Sequence, residues 1–225
     1  RVVDGKTRLI ATTLVSNVTG YLSAIAARSN LAHAHGAYIY VDIIQGAGAV
    51  PIDVRAMGID FAACSTFKWL MGVKGFGFLY VREDLQGTVA KPTQHCGGVS
   101  FEYPPWREAP HSAADIAFAP VSGPEMYEVS YPSYEGAVSA QVSLRYILDL
   151  GVDRIRAHAR ELTDRLQREM PALGYPSITP EDNESPIVSF VVVDPDATMT
   201  RLKQAGVHVA LRFGDKMRIS PSVYN

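Results

Sequence analysis

Between Leu9 and Val81 the chain reads strand, helix, strand, helix, strand, strand, and no other feature limits its fold as much. Such an alternation folds as an α/β sheet with crossovers. Leu9 to Val15 is rich in apolar and β-branched residues without clean alternation, as expected of a strand covered on both faces. Ser16 to Gly20 is a turn. Leu22, Ile25, Ala26, Ser29, Leu31 and Ala32 recur at helical spacing up to His35, and Gly36 is placed to stop that helix. Tyr38 to Asp42 is a second apolar strand. Ile52 to Gly58 reads as a short helix, Ile59 to Cys64 as a short strand, and Gly75 to Val81 as a strand whose glycines admit a close neighbour.

Val89 to Ser133 is irregular and rich in proline, and loops of this length are usually functional or subunit-contacting. Tyr134 to Leu150 then carries helical periodicity through Val138, Val142, Tyr146 and Leu150. Val152 to Met170 carries it through Ile155, Ala159, Leu162 and Leu166, with Gly151 between the two helices. Beyond Gly174, Ile187 to Val193 is strand-like, Ala197 to Ala205 is a helix ended by Gly206, and Val207 to Leu211 is a further strand. These last elements form a smaller α/β portion.

At 225 residues the chain can bury a sizeable core. Its 47% hydrophobic and 20% charged content is that of an ordinary globular protein. With 21 Lys and Arg against 23 Asp and Glu there is no basic field to favour nucleic acid. No apolar run of roughly 18 residues suggests a membrane span, and no secretory signal is recognisable. Two cysteines, Cys64 and Cys96, fit neither a disulfide framework nor close-spaced metal ligands, so the expected setting is reducing and cytoplasmic, with no metal. The opening at Arg1 without Met, and the stop at Asn225 with no closing element, read as a chain cut at both ends.

Two short runs carry the chemistry. The strand Tyr38 to Asp42 ends in a carboxylate. The segment Cys64-Ser65-Thr66-Phe67-Lys68-Trp69-Leu70, followed by Gly72, Gly75 and Gly77, delivers one lysine beyond another strand. A lysine among apolar neighbours sheds its proton readily, and a neutral amine attacks an aldehyde. A carboxylate against a pyridine nitrogen keeps that ring protonated as an electron sink. Together they suit pyridoxal phosphate, with Lys68 as the Schiff-base lysine and the general base and acid at the substrate carbon. Each taken alone has an ordinary reading, a surface lysine and a capping aspartate. Gln45 can donate to a ring hydroxyl oxygen, and Ser65 and Thr66 carry hydroxyls that can reach phosphate. A nucleotide-binding module is disfavoured, because no G-x-G-x-x-G stands at a first strand-to-helix turn.

Four segments occur in order: Leu14 to Gly20, Ala32 to Gln45, Asp60 to Lys68, and Gly75 to Val81. Together with Tyr127 to Gly136 and Met217 to Asn225, they resemble the class V aminotransferase group of fold type I pyridoxal phosphate enzymes, which includes cysteine desulfurases and selenocysteine lyases. The resemblance implies an α/β fold. Residues 1–150 would be part of the large cofactor-binding domain, a mostly parallel sheet with helices on both faces. Residues 151–225 would be part of a small C-terminal α/β domain. It further implies that Lys68 is the Schiff-base lysine, Asp42 the pyridine partner, Gln45 the ring-hydroxyl donor and Ser65 a phosphate ligand. Asn17 matches the family's active-site asparagine. Arg218 matches the arginine that grips a substrate carboxylate, and Arg212 a second active-site arginine. A homodimer acting on a small amino acid is implied as well.

Three positions depart from the pattern. Phe67 stands where desulfurases carry a phosphate-binding histidine. Val209 to Arg218 holds no cysteine where they carry a sulfur acceptor. Tyr131 replaces a phosphate-binding threonine, leaving Ser130 or Ser133 in its place. The phosphate-binding helix N-terminus and the ring-stacking residue of the family would precede Arg1. The expected activity is therefore transamination, lyase cleavage or epimerisation of an amino acid, and not desulfuration of the usual type. The alternative is a catalytically silent homologue or fragment serving as a folding or dimerisation unit.

Overall fold

The structure is a computed structural model and describes residues 3–91, 99–101, 118–120, 123–128 and 133–225. Ser130, Tyr131 and Cys96 lie outside these residues, as does most of the proline-rich segment.

Four strands form the main sheet: β1 (Leu9–Thr13), β2 (Tyr38–Asp42), β3 (Phe61–Ser65) and β4 (Gly77–Val81), in that spatial order. The first three run parallel and β4 returns antiparallel to β3. The β3 to β4 connection is shorter than the crossover of about a dozen residues that a parallel neighbour requires. Helix α1 (Ile25–Ala34) makes the crossover between β1 and β2. The class is α/β with a mostly parallel sheet, as expected.

Alternate residues of β2 and β3, namely Ile39, Val41, Ala62 and Cys64, are buried in one apolar cluster with Ile25 and Ala32 of α1. Tyr38, Tyr40, Asp42, Phe61, Ala63 and Ser65 occupy the other face and are half-buried. Cover on both faces does not hold for β1, since Leu9 is 51% exposed. The stretch from Ile52 to Gly58 is a set of turns and not a helix. The Asp53 carboxylate accepts the Arg55 and Ala56 amides, leaving a single turn too short to propagate.

A short antiparallel pair, β5 (Val99–Phe101) and β6 (Phe118–Pro120), lies within the segment read as irregular. Helix α2 (Tyr134–Leu150) starts at Ser133, whose hydroxyl oxygen accepts the Gly136 amide at 3.1 Å. Its extent matches the sequence reading, but its faces do not. Val138 and Val142 are 61% and 65% exposed, and the buried row is Gly136, Ala140, Ser143 and Ile147. Close approach decides this choice: a Cβ at Gly136 would lie 2.8 Å from the Phe76 side chain. Helix α3 (Val152–Glu169) follows after Gly151 and sends Ile155 into the same cluster as Ile147.

The remaining strands, β7 (Val188–Val191), β8 (Ala210–Arg212) and β9 (Lys216–Ile219), form an antiparallel sheet in the order β7, β9, β8, with α4 (Pro195–Gln204) between β7 and β8. Its own cluster holds Val188, Phe190, Val192 and Met217. Strand β9 was not anticipated from the sequence.

A loop joins the two sheets. Ser185 and Ser189 donate to the carbonyls of Gly20 and Val18 at 2.6 and 2.5 Å, and Leu22 donates to the Asn183 side chain at 3.2 Å. Gly20 has φ +74°, and a Cβ there would fall 1.9 Å from the Ile187 carbonyl oxygen. Only glycine fits that approach.

Candidate active site

The lysine loop is built from within. Thr66 is 1% exposed, and its hydroxyl lies 3.2 and 3.1 Å from the carbonyls of Val73 and Phe76. Its amide donates to the Phe76 carbonyl, and its own carbonyl accepts the Gly72 amide. That hydroxyl staples the loop and does not face a ligand, which corrects the reading of Thr66 as a phosphate contact. The Lys68 carbonyl accepts the Met71 amide at 2.9 Å, and Met71 is held at φ +54°. A non-glycine residue in this region stores strain that the surrounding loop maintains.

Lys68 opens into a cavity of about 340 Å³ shared with Asn17, Gln45, Phe67, Trp69, Met71, Arg212, Arg218, Ser220, Ser222 and Tyr224. This lies in the size range of small-molecule sites. A larger groove of about 1190 Å³ passes Arg55, Leu79, Arg82 and Asp84. Arg82 in that groove is consumed by Asp84 and by the buried Asp60. The smaller cavity is the one in which reactive groups converge.

Burial is the main cause that lowers the Lys68 ammonium from the usual lysine range; Arg218 and Arg212 add to it, and the Asp42 carboxylate opposes it. Asp42 and Lys68 are thus near enough to interact by charge, yet no ion pair within 4 Å joins them among the described residues. Asp42 does not line the cavity itself; its Oδ1 accepts the Ile44 amide at 2.9 Å. Ser65 ends β3 opposite Gly77 and is also outside the lining. Gln45 is buried, and its Oε1 accepts the Trp69 indole N–H at 3.1 Å. An indole N–H can only donate, so this bond leaves the Gln45 amide nitrogen as the group free to donate.

Arg218 on β9 crosses to the first sheet and donates from Nη1 to the Asn17 carbonyl at 3.1 Å. Its Nε is buried without a partner among the described residues. An orphaned donor of this kind costs about 1–3 kcal/mol. Burial and Arg212 both lower its proton affinity. Phe67 is 40% exposed, with Lys68 Nζ 6.0 Å from its ring centre. Cys64, behind the lysine strand, is pushed up to about 11 by burial, then by Asp42. It stays a thiol and is no nucleophile at neutral pH.

The structure therefore gathers Lys68, Gln45, Asn17, Arg212 and Arg218 in one place and keeps Asp42 within reach of Lys68. Trp69, Met71, Ser220, Ser222 and Tyr224 line the same space and had been given no role. Ser220, Ser222 and Tyr224 fall within the C-terminal segment that carries the family resemblance, which was the available signal for them. The donor set suits pyridoxal phosphate: an amine of lowered proton affinity, a nearby carboxylate, an oriented amide and an arginine with an unspent N–H.

Fold and site define a fold type I α/β unit with one lysine in a cationic pocket. Residues 1–221 match the family described as Aminotransferase class-V, and the chain belongs to that family. Pyridoxal phosphate is the family's cofactor. A probable cysteine desulfurase of Methanothermobacter thermautotrophicus is 29% identical over 195 residues, covering 86% of this chain and 46% of that protein. A cysteine desulfurase of Escherichia coli is 29% identical over 191 residues, covering 83% and 43%. The apo structure of a cysteine desulfurase from Thermococcus onnurineus superposes with a TM-score of 0.85 at 27% identity, covering 97% of this chain and 56% of the other. The chain thus spans about half the length of the relatives it matches. Among the described residues, no helix is long and apolar enough to cross a membrane.

Proposed function

We propose that this chain carries the lysine-bearing part of a pyridoxal-phosphate-dependent enzyme that acts on the α-amino group or the α or β carbon of a small amino acid. The observation that carries the reading is the cavity in which Lys68, its ammonium destabilised by burial and by two arginines, meets Gln45, Asn17 and Arg218. Bound there, the cofactor supplies an aldehyde for covalent capture and a ring that withdraws electrons from the substrate. Lys68 would hold it and afterwards move a proton at the substrate carbon. Asp42, close enough to Lys68 to interact with it by charge, would keep the ring nitrogen protonated. Gln45 would donate from its amide nitrogen to the ring oxygen. Ser65 would meet the phosphate, and Asn17 would border the cofactor while its carbonyl steadies Arg218. Arg218 and Arg212 would hold substrate.

The relatives named above are cysteine desulfurases, and the finer reading here is different. The hairpin from Ala210 to Arg218 carries no cysteine to accept sulfur, which supports transaminase, lyase or epimerase chemistry. A homodimer and a cytoplasmic location belong to the same reading. Phe67, facing the cavity where a polar phosphate contact would serve better, favours the silent alternative. One experiment separates the two. Purified protein mixed with pyridoxal phosphate and reduced with borohydride should carry the pyridoxyl mass on the peptide containing Lys68, and Lys68→Ala should abolish it. Absence of label in the folded wild-type chain, or label spread equally over other lysines, refutes the proposal.

A further inference from the structure

Strands β8 and β9 are antiparallel, with Ala210 opposite Arg218 and Arg212 opposite Lys216. Side chains alternate faces along a strand, so Arg212, Lys216 and Arg218 share one face of this hairpin, while Met217 is buried in the cluster behind it. Arg212 and Arg218 are diagonal neighbours, a relation that places their stems about 7–8 Å apart. Lys216 is taken by the Asp215 carboxylate at 2.6 Å. The other two cations have no carboxylate partner among the described residues.

The cavity lining holds Lys68, Arg212 and Arg218 and no acidic side chain. Arg218 is oriented by a neutral carbonyl, that of Asn17, through Nη1. Its Nε is buried away from the cavity, while Nη2 makes no hydrogen bond among the described residues and remains to meet one carboxylate. The α-carboxylate of an amino acid can meet Arg218 there and leaves the exposed Arg212, which lines the same cavity, without an anionic partner. A second anion on the ligand would answer it.

We infer that the site selects a dicarboxylic amino acid, with the α-carboxylate on Arg218 and the side-chain carboxylate on Arg212. The inference rests on the function proposed above and adds to it the class of substrate. It concerns a static pair of cations, so it is testable on the chain without cofactor.

Succinate, butyrate and inorganic phosphate serve as probes, with binding to the full purified chain measured by calorimetry. Succinate should bind at least about tenfold more tightly than butyrate, a difference of about 1.4 kcal/mol. In Arg212→Gln the ratio should fall to near one, succinate losing more affinity than butyrate, and Arg212→Lys should restore part of it. The inference is overturned if succinate and butyrate bind alike, if Arg212→Gln leaves the ratio in place, or if phosphate binds as tightly as succinate and loses affinity equally in the variant. The last result would mean a general anion site. The borohydride label on Lys68, measured on the same preparation, keeps the two proposals apart. Label without succinate preference sinks only the substrate class, and preference without label sinks only the proposed reaction.

Discussion

Replacing Gly20 by alanine should damage both stability and the site, and the size of the effect follows from the geometry. At φ +74° a Cβ is strained, which costs about 1–2 kcal/mol. That Cβ would also sit 1.9 Å from the Ile187 carbonyl oxygen, so the loop must retreat by about 1 Å to reach even a tight contact. Four hydrogen bonds cross here: from Ser185, Ser189 and Arg218 to loop carbonyls, and from the Leu22 amide to Asn183. Losing two of them at about 1 kcal/mol each brings the total to about 3–4 kcal/mol. Equilibrium urea unfolding measures it as a drop in midpoint at unchanged slope. Ser189→Ala, which removes one of the four, should lose only about 1 kcal/mol and calibrates the scale. A Gly20→Ala loss below about 1 kcal/mol would refute the argument, because it would show that the loop yields without breaking its ties. The same displacement moves the Asn17 carbonyl from Arg218, so succinate affinity should fall together with stability.

Asp60 is 0% exposed and accepts from the Ile39 amide at 2.8 Å and from Arg82, with His33 Nε2 at 2.9 Å. It ties α1, β2 and the exit of β4, so Asp60→Ala should lose about 3–5 kcal/mol in urea unfolding, and a loss under 1 would contradict that role. Cys64, raised to about 11, should resist iodoacetamide in the native chain at pH 8 and react once urea unfolds it. Peptide mass spectrometry reports this cysteine separately from Cys96, and rapid native labelling at pH 8 would count against its burial. Trp69→Phe keeps an aromatic ring but frees Gln45 Oε1, so affinity for pyridoxal phosphate should weaken by about 0.5–1.5 kcal/mol. Unchanged affinity would mean that the indole does not orient the Gln45 amide.

The elements most legible in the sequence were those whose burial is decided by apolar side chains. Tyr38–Asp42 and Tyr134–Leu150 lie where the pattern put them. Orientation of α2 was not legible, because its buried row consists mostly of Gly136, Ala140 and Ser143. Small residues win that contact by allowing Phe76 to approach, a steric reason that hydrophobicity does not register. Strand β9 was hidden because Lys216 and Arg218 interrupt its apolar residues, although alternation around Met217 was there to be read. Lys68 and Asp42 stood out by their place at strand ends. Gln45 and Ser65 were open candidates as polar groups near Asp42 and Lys68, whereas Asn17, Arg212 and Arg218 were named by resemblance, and spacing alone would not have found them. The bond from Trp69 to Gln45 and the internal use of the Thr66 hydroxyl are tertiary facts without a local signature.

The proton affinity of Lys68 is set from both ends of the chain. Its own loop supplies burial, the end of β2 supplies the carboxylate that favours the ammonium, and the β8–β9 hairpin supplies two guanidiniums that oppose it. For those cations to act, their charge must not be cancelled locally. Had Arg218 been held by an aspartate, the pair would be nearly neutral toward Lys68 and would bind no carboxylate ligand. A backbone carbonyl fixes the guanidinium plane through one N–H while leaving its full charge to the cavity. Gly20, by letting the Asn17 loop press against β7, brings that carbonyl to Arg218. Gly20, three residues from Asn17, therefore bears on how Arg218 is held beside Lys68, while burial remains the main cause of the lysine's lowered proton affinity.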